Sequence, residues 1–101
     1  MNIRGFKLDT GEIVIGDQSN FVQNECYTLE NVVQLVIQDV GNGKMGVGMQ
    51  PFIPFAHGSI EIMVKNIVAL FEPDQQVENE YNRLFGSGLV VAPANVKVFP
   101  H

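Results

Sequence analysis

The side chains able to do chemistry are few and far apart in this chain. Cys26 is the only cysteine. With no histidine near it in sequence it makes a poor nucleophile, and a buried structural thiol is the plainer reading. His57, just before Gly58, could stack on a base or change charge near about pH 6.5, although a lone loop histidine is ordinarily solvated. Glu72, Asp74, Glu78 and Glu80 concentrate acid in one short stretch. Paired-carboxylate catalysis needs a cleft that nothing in the sequence implies, so a solvated helix face is expected, with Glu80 spaced to meet Arg83 one turn on. No cluster of His, Cys and carboxylates has metal-ligand spacing. Gly41-Asn42-Gly43-Lys44 lacks the Gly-Lys-Ser/Thr of a phosphate cradle and is followed by no helical period, so it reads as a hairpin turn. Lys65 and Asn66 remain, between two strand-like runs. Lys65 offers a cation for a phosphate, against the commoner reading of an exposed turn lysine. Asn66 offers a carboxamide that donates and accepts, against the reading of a turn residue. Neither an enzyme nor a cofactor is expected.

The elements that must position these groups read mainly as strands. Phe6-Lys7-Leu8 alternates into an Asp9-Thr10-Gly11 turn, and Ile13-Val14-Ile15 alternates out of it to Gly16. Residues 3–8 and 12–17 therefore form a hairpin, with Phe6 and Leu8 on one face and Ile13 and Ile15 sharing one. Gly16 permits a sharp bend or a close backbone approach. Residues 18–25 are polar and turn-rich apart from Phe21 and Val22, so a loop is expected there. Cys26 to Val40 is rich in β-branched residues. Leu29, Val33, Leu35 and Ile37 point one way, Val32 and Val36 the other, as in a central strand or one covered by a neighbouring subunit. Glycine occupies positions 41, 43, 46, 48 and 58, and Gly46 and Gly48 alternate with Met45, Val47 and Met49, which lets another backbone lie close. Pro51 and Pro54 exclude a helix interior or a central strand. Strand character returns over residues 59–71. From Glu72 to Gly86 the period changes: Val77, Tyr81, Leu84 and Phe85 form a helical stripe, with Asp74 as N-cap and Gly86 or Gly88 as stop. Leu89–Ala92 and Val96–Phe99 leave an extended apolar tail broken by Pro93.

A chain of 101 residues builds one small core. Phe52, Ile53, Phe55 and Val96–Phe99 exceed what that core can hold, so part of this apolar surface needs a partner, and the tail could add a strand to a neighbouring subunit. Six basic against eleven acidic residues give a net charge of −5. That disfavours a broad electrostatic grip on nucleic acid but leaves room for a local site. The lone cysteine excludes an internal disulfide and suits a reducing compartment. The N-terminus lacks an apolar signal core, and no apolar run approaches the ~18 residues of a membrane span. A cytoplasmic protein with no membrane contact is expected.

The strand pattern with Gly11-x-x-Val14-x-Gly16 resembles the opening of the Sm-like family, whose members are strongly bent small β-barrels. It is most similar to the short Sm-like proteins carried by phages of marine bacteria. The resemblance covers residues 4–71, and Asn66-Ile67 with the apolar run beyond it resembles the end of the second family motif. It implies a mainly β fold: a strongly bent five-stranded Sm-like barrel over residues 1–71. Residues 72–101 would then form a short C-terminal helix and an extended apolar tail that pack on the barrel or on a neighbouring subunit. In the family a helix usually precedes the first strand; here it follows the last. Counting from Gly16, the family's RNA-contacting aspartate falls on Gln23 and its Met-Asn pair on Glu25 and Cys26. Its Arg-Gly pair falls on Met63 and Val64. The resemblance also implies a homo-oligomeric ring that holds single-stranded RNA at its pore without catalysis, with Asn66 and Lys65 as RNA-binding residues. The substituted motif positions and the acidic charge support the competing expectation, a structural or adaptor ring that keeps the assembly edges and binds no RNA.

Overall fold

Wherever apolar residues alternate, the backbone pairs. The computed structural model describes residues 2–85 and the backbone of residues 95–98. Among the described residues the strands are β1 (Ile3–Leu8), β2 (Ile13–Val22), β3 (Cys26–Gly41), β4 (Lys44–Pro51), β5 (Ile60–Met63), β6 (Ile67–Phe71) and β7 (Asn95–Val98). The 3-10 turn Val64–Asn66 joins β5 to β6, and helix α1 (Gln75–Phe85) follows. All strand pairs are antiparallel and lie in one sheet of order β6-β1-β2-β3-β4-β7, with β5 paired to β3 off that path. The outermost strands do not pair with each other, so the sheet is not a closed barrel.

β3 is long enough to serve two partners in succession on one edge. Cys26–Leu29 pairs with β5, and Val33–Gly41 pairs with β4. The 3-10 turn then carries the chain from β5, on the β3 edge, to β6, on the β1 edge. Four Cα steps from Met63 to Ile67 span at most ~15 Å, so the sheet must curl until those two edges are near neighbours.

Asn31 sets the other bend. It takes a left-handed φ of 52° in mid-strand, and the β2–β3 register shifts between Ile15 and Asp17 opposite it. An extra residue at such a point reverses which face each following side chain meets. Leu29 and Val32, expected on opposite faces, therefore pack in one cluster with Phe6, Leu8, Val14 and Ile62. Val33 packs in the other, with Ile15 and Met49 from the sheet and Val77, Tyr81 and Leu84 from α1. The curled face and the helix-covered face thus each own a core. Gly16 sits at the pinch, where a Cβ would lie 3.0 Å from Leu29 Cβ and 3.3 Å from Val32 Cγ2.

The structure differs from the sequence expectations in several places. Instead of five strands the described residues form seven, because the stretch over residues 59–71 is divided into β5 and β6 by the 64–66 turn and the tail contributes β7. Residues 18–22 continue β2 where a loop was expected. Polar side chains suit an exposed hairpin arm, and its outer end is held by Phe21 on Tyr27, ring centroids 4.5 Å apart. Phe52 completes the first core cluster, whereas Phe55 is 89% exposed. Glu80 is buried rather than solvated, with its carboxylate 2.6 Å from Nη2 of Arg83. The expected tail segment Leu89–Ala92 and Phe99 lie outside the described residues.

Candidate functional site

The residues around Lys65 and Asn66 are positioned by three turns. Asp9-Thr10-Gly11 closes the first hairpin, with Gly11 at φ 104° and its N–H donating to the Leu8 carbonyl at 2.9 Å. Gln23-Asn24-Glu25 closes the second, with Asn24 at φ 63° and Glu25 N–H donating to the Val22 carbonyl at 3.0 Å. The 3-10 turn lies across both. Its Val64 N–H donates to the Glu25 carbonyl at 2.9 Å. Its Asn66 carbonyl accepts from Asp9 N–H at 2.8 Å, and Asn66 Nδ2 donates to Asp9 Oδ2 at 3.1 Å. Segments 23–26 and 63–66, far apart in sequence, therefore meet, and Cys26 faces Met63 in the ladder.

Asn66 is half-buried, and its carboxamide is already engaged. Lys65 beside it is exposed. The turns border a cleft of about 250 Å³ whose wall includes Asp9, Thr10, Glu12, Phe52, Glu61 and Asn66. Thr10 Oγ1 donates to the Glu12 carboxylate. The Cys26 thiol, buried behind the cleft, donates to Glu61 Oε2 at 3.7 Å. Burial first, and the Glu61 carboxylate second, push that thiol above its ordinary range, which suppresses the thiolate that nucleophilic chemistry would need. A cleft walled by three carboxylates repels phosphate, and one exposed lysine offsets only part of that charge.

A second cavity, of about 480 Å³, lies between the Asn31 kink, the 51–58 segment and Phe85 at the end of α1. Its lining is mostly Val, Ile, Pro and Ala, with Glu30 at one side. His57 lies exposed in the adjoining loop. Sequence reasoning missed two contributors here. Asp9, the partner of Asn66, is 57 positions away, and no local pattern couples the two. The Tyr81 hydroxyl donates to the carbonyls of Glu30 and Asn31, at 3.2 and 2.9 Å, and so ties α1 to the kink; the helical stripe placed Tyr81 but not its hydroxyl.

Among the described residues, no group of three or more His, Cys, Asp or Glu is placed to hold a metal ion. No described helix is long and apolar enough to cross a membrane. No family model matches the chain, and no curated protein matches it.

Proposed function

We propose that this chain is a non-catalytic assembly subunit of Sm-like type, whose copies join edge to edge in a homo-oligomeric ring that serves as a structural or adaptor platform. The observation that carries the reading is the outer edge of β6, which is free among the described residues. Of the described strands it pairs only with β1, and it bears Val68, 66% exposed, and Leu70. A strand edge with apolar side chains beside it is a template for pairing with another chain. The curled sheet, the hairpin with Gly11 and Gly16, and the meeting of segments 23–26 and 63–66 support the Sm-like likeness.

The surroundings of Asn66 favour the adaptor over the RNA binder. Its carboxamide is held by Asp9 and flanks an acidic cleft. Readout of single-stranded bases needs free donors and acceptors with stacking surfaces and basic residues. Native mass spectrometry on freshly purified protein, with an ultraviolet absorbance ratio on the same sample, tests the proposal. A discrete multimer free of nucleic acid is expected. Asn66→Ala should leave that mass unchanged and lower stability by about 0.5–1.5 kcal/mol, one modest hydrogen bond. Bound RNA that disappears in Asn66→Ala would restore the RNA reading, and a monomer at all concentrations would remove the ring.

A further inference from the structure

Among the described residues β7 is attached to the sheet on one side only. It pairs there with β4 alone, through Gly46↔Val98, Val47↔Lys97, Gly48↔Val96 and Met49↔Asn95. Residues 86–94, which include Gly86, Gly88 and Pro93, separate it from α1. A run of that length reaches up to ~30 Å when extended. A short strand with one partner at a sheet edge belongs to the part of a fold that opens first. Beneath it, β4 lets a strand approach closely, because Gly46 and Gly48 leave one face of that stretch without side chains. At the far end of the sheet, β6 has a comparable length, three successive exposed apolar residues in Val68, Ala69 and Leu70, and an outer edge that no described strand pairs with.

We propose that β7 is a built-in cover over the outer edge of β4, and that this edge accepts β6 of a second copy when β7 leaves. The inference rests on the assembly reading above. Both strands need the same row of backbone donors and acceptors, so only one can hold residues 46–49 at a time. β7 competes from within the chain at high effective concentration. Dilute protein is therefore covered and single, and assembly rises with concentration or when the tail is drawn away.

The test locks the cover in place. In the full chain, Val47→Cys with Lys97→Cys sets two thiols at directly opposed ladder positions, where antiparallel Cα spacings of about 4.5–5.5 Å suit a disulfide. The parent, with buried Cys26 alone, is the control. After oxidation, a non-reducing denaturing gel should show single chains and native mass spectrometry a monomer, and reduction should restore the parent's assembly. An internally bonded protein that assembles like the parent overturns the cover. Disulfides between chains overturn it too, since β7 would then be exchanged between copies. The full chain with Val96→Pro and Lys97→Pro provides a second test that does not depend on oxidation, since one of two adjacent N–H groups must face β4. It should raise the assembled fraction several-fold at fixed concentration, and an unchanged fraction overturns the proposal. A parent that stays monomeric at every concentration instead removes the assembly reading, and the cover with it.

Discussion

Tyr81 shows how much can depend on one side chain. It is fully buried, stacks against Phe85 at 4.7 Å and donates to two carbonyls at the Asn31 kink. Burial, then the charge of Asp17, raises its hydroxyl pKa well above the ordinary value. The folded state thus keeps a proton that the unfolded chain releases near about pH 10. Stability from this group is fully present below that pH and is lost as pH climbs toward the raised value. Tyr81→Phe should cost about 1–3 kcal/mol at neutral pH, because two carbonyls lose their donor. It should also flatten the alkaline fall in melting temperature, which thermal denaturation at several pH values measures. Gly16→Ala is the second test at this scale. The new methyl would press on Leu29, which has no room to retreat, so a loss of about 1–3 kcal/mol in urea unfolding is expected. The closeness at Gly16 was legible in the sequence, since a glycine that ends an apolar strand run admits a sharp bend or a near neighbour. The Asn66–Asp9 clamp was not, because each residue alone is an ordinary turn former and only the curled sheet brings them together.

At the scale of elements, α1 was the most legible part of the chain. Its stripe of Val77, Tyr81, Leu84 and Phe85 faces the sheet, and Asp74 Oδ1 accepts from Val77 N–H at 2.9 Å as an N-cap should. Asp74→Ala should destabilise by about 1 kcal/mol, and Asp74→Asn should recover most of it because the capping oxygen remains. Equal losses in the two variants, by chemical denaturation, would mean that charge at the helix start matters more than the cap. The Gly41-Asn42-Gly43-Lys44 hairpin was equally legible, since Asn42 and Gly43 both take positive φ as a tight two-residue turn requires. β3 was only half legible. Its length and apolar content were plain, but period-two alternation was carried straight through Asn31. The kink shifts the pattern by one residue, which moved Val32 from the expected second face into the core of Phe6 and Val14. An asparagine within an otherwise β-branched run was the signal available, because it tolerates the left-handed region better than its neighbours do.

For the whole molecule, the governing fact is that the sheet curls at one end and remains open at the other. The 3-10 turn forces β3 and β1 edges together near residues 63–67, while among the described residues β6 and β7 stay unpaired on their outer sides. A sheet with open edges either shields them or uses them. β6 carries no proline and no charge, and its exposed residues Val68 and Leu70 are apolar, so nothing on it discourages a partner strand. Lysine at both positions supplies the missing deterrent. If copies join through β6 as proposed, Val68→Lys with Leu70→Lys should yield single chains where the parent is multimeric, on size-exclusion chromatography with light scattering. The two side chains are already solvent-facing, so the far-ultraviolet circular dichroism should match that of the parent and the melting temperature should shift only through loss of assembly. A well-folded double variant that still runs as the parent multimer would place the joining surface elsewhere. The next place to look would be the projecting β3–β4 hairpin, where Ile37, Val40 and Met45 are exposed. Charged substitutions at these positions would then be the informative variants, because they are exposed apolar residues built into neither core.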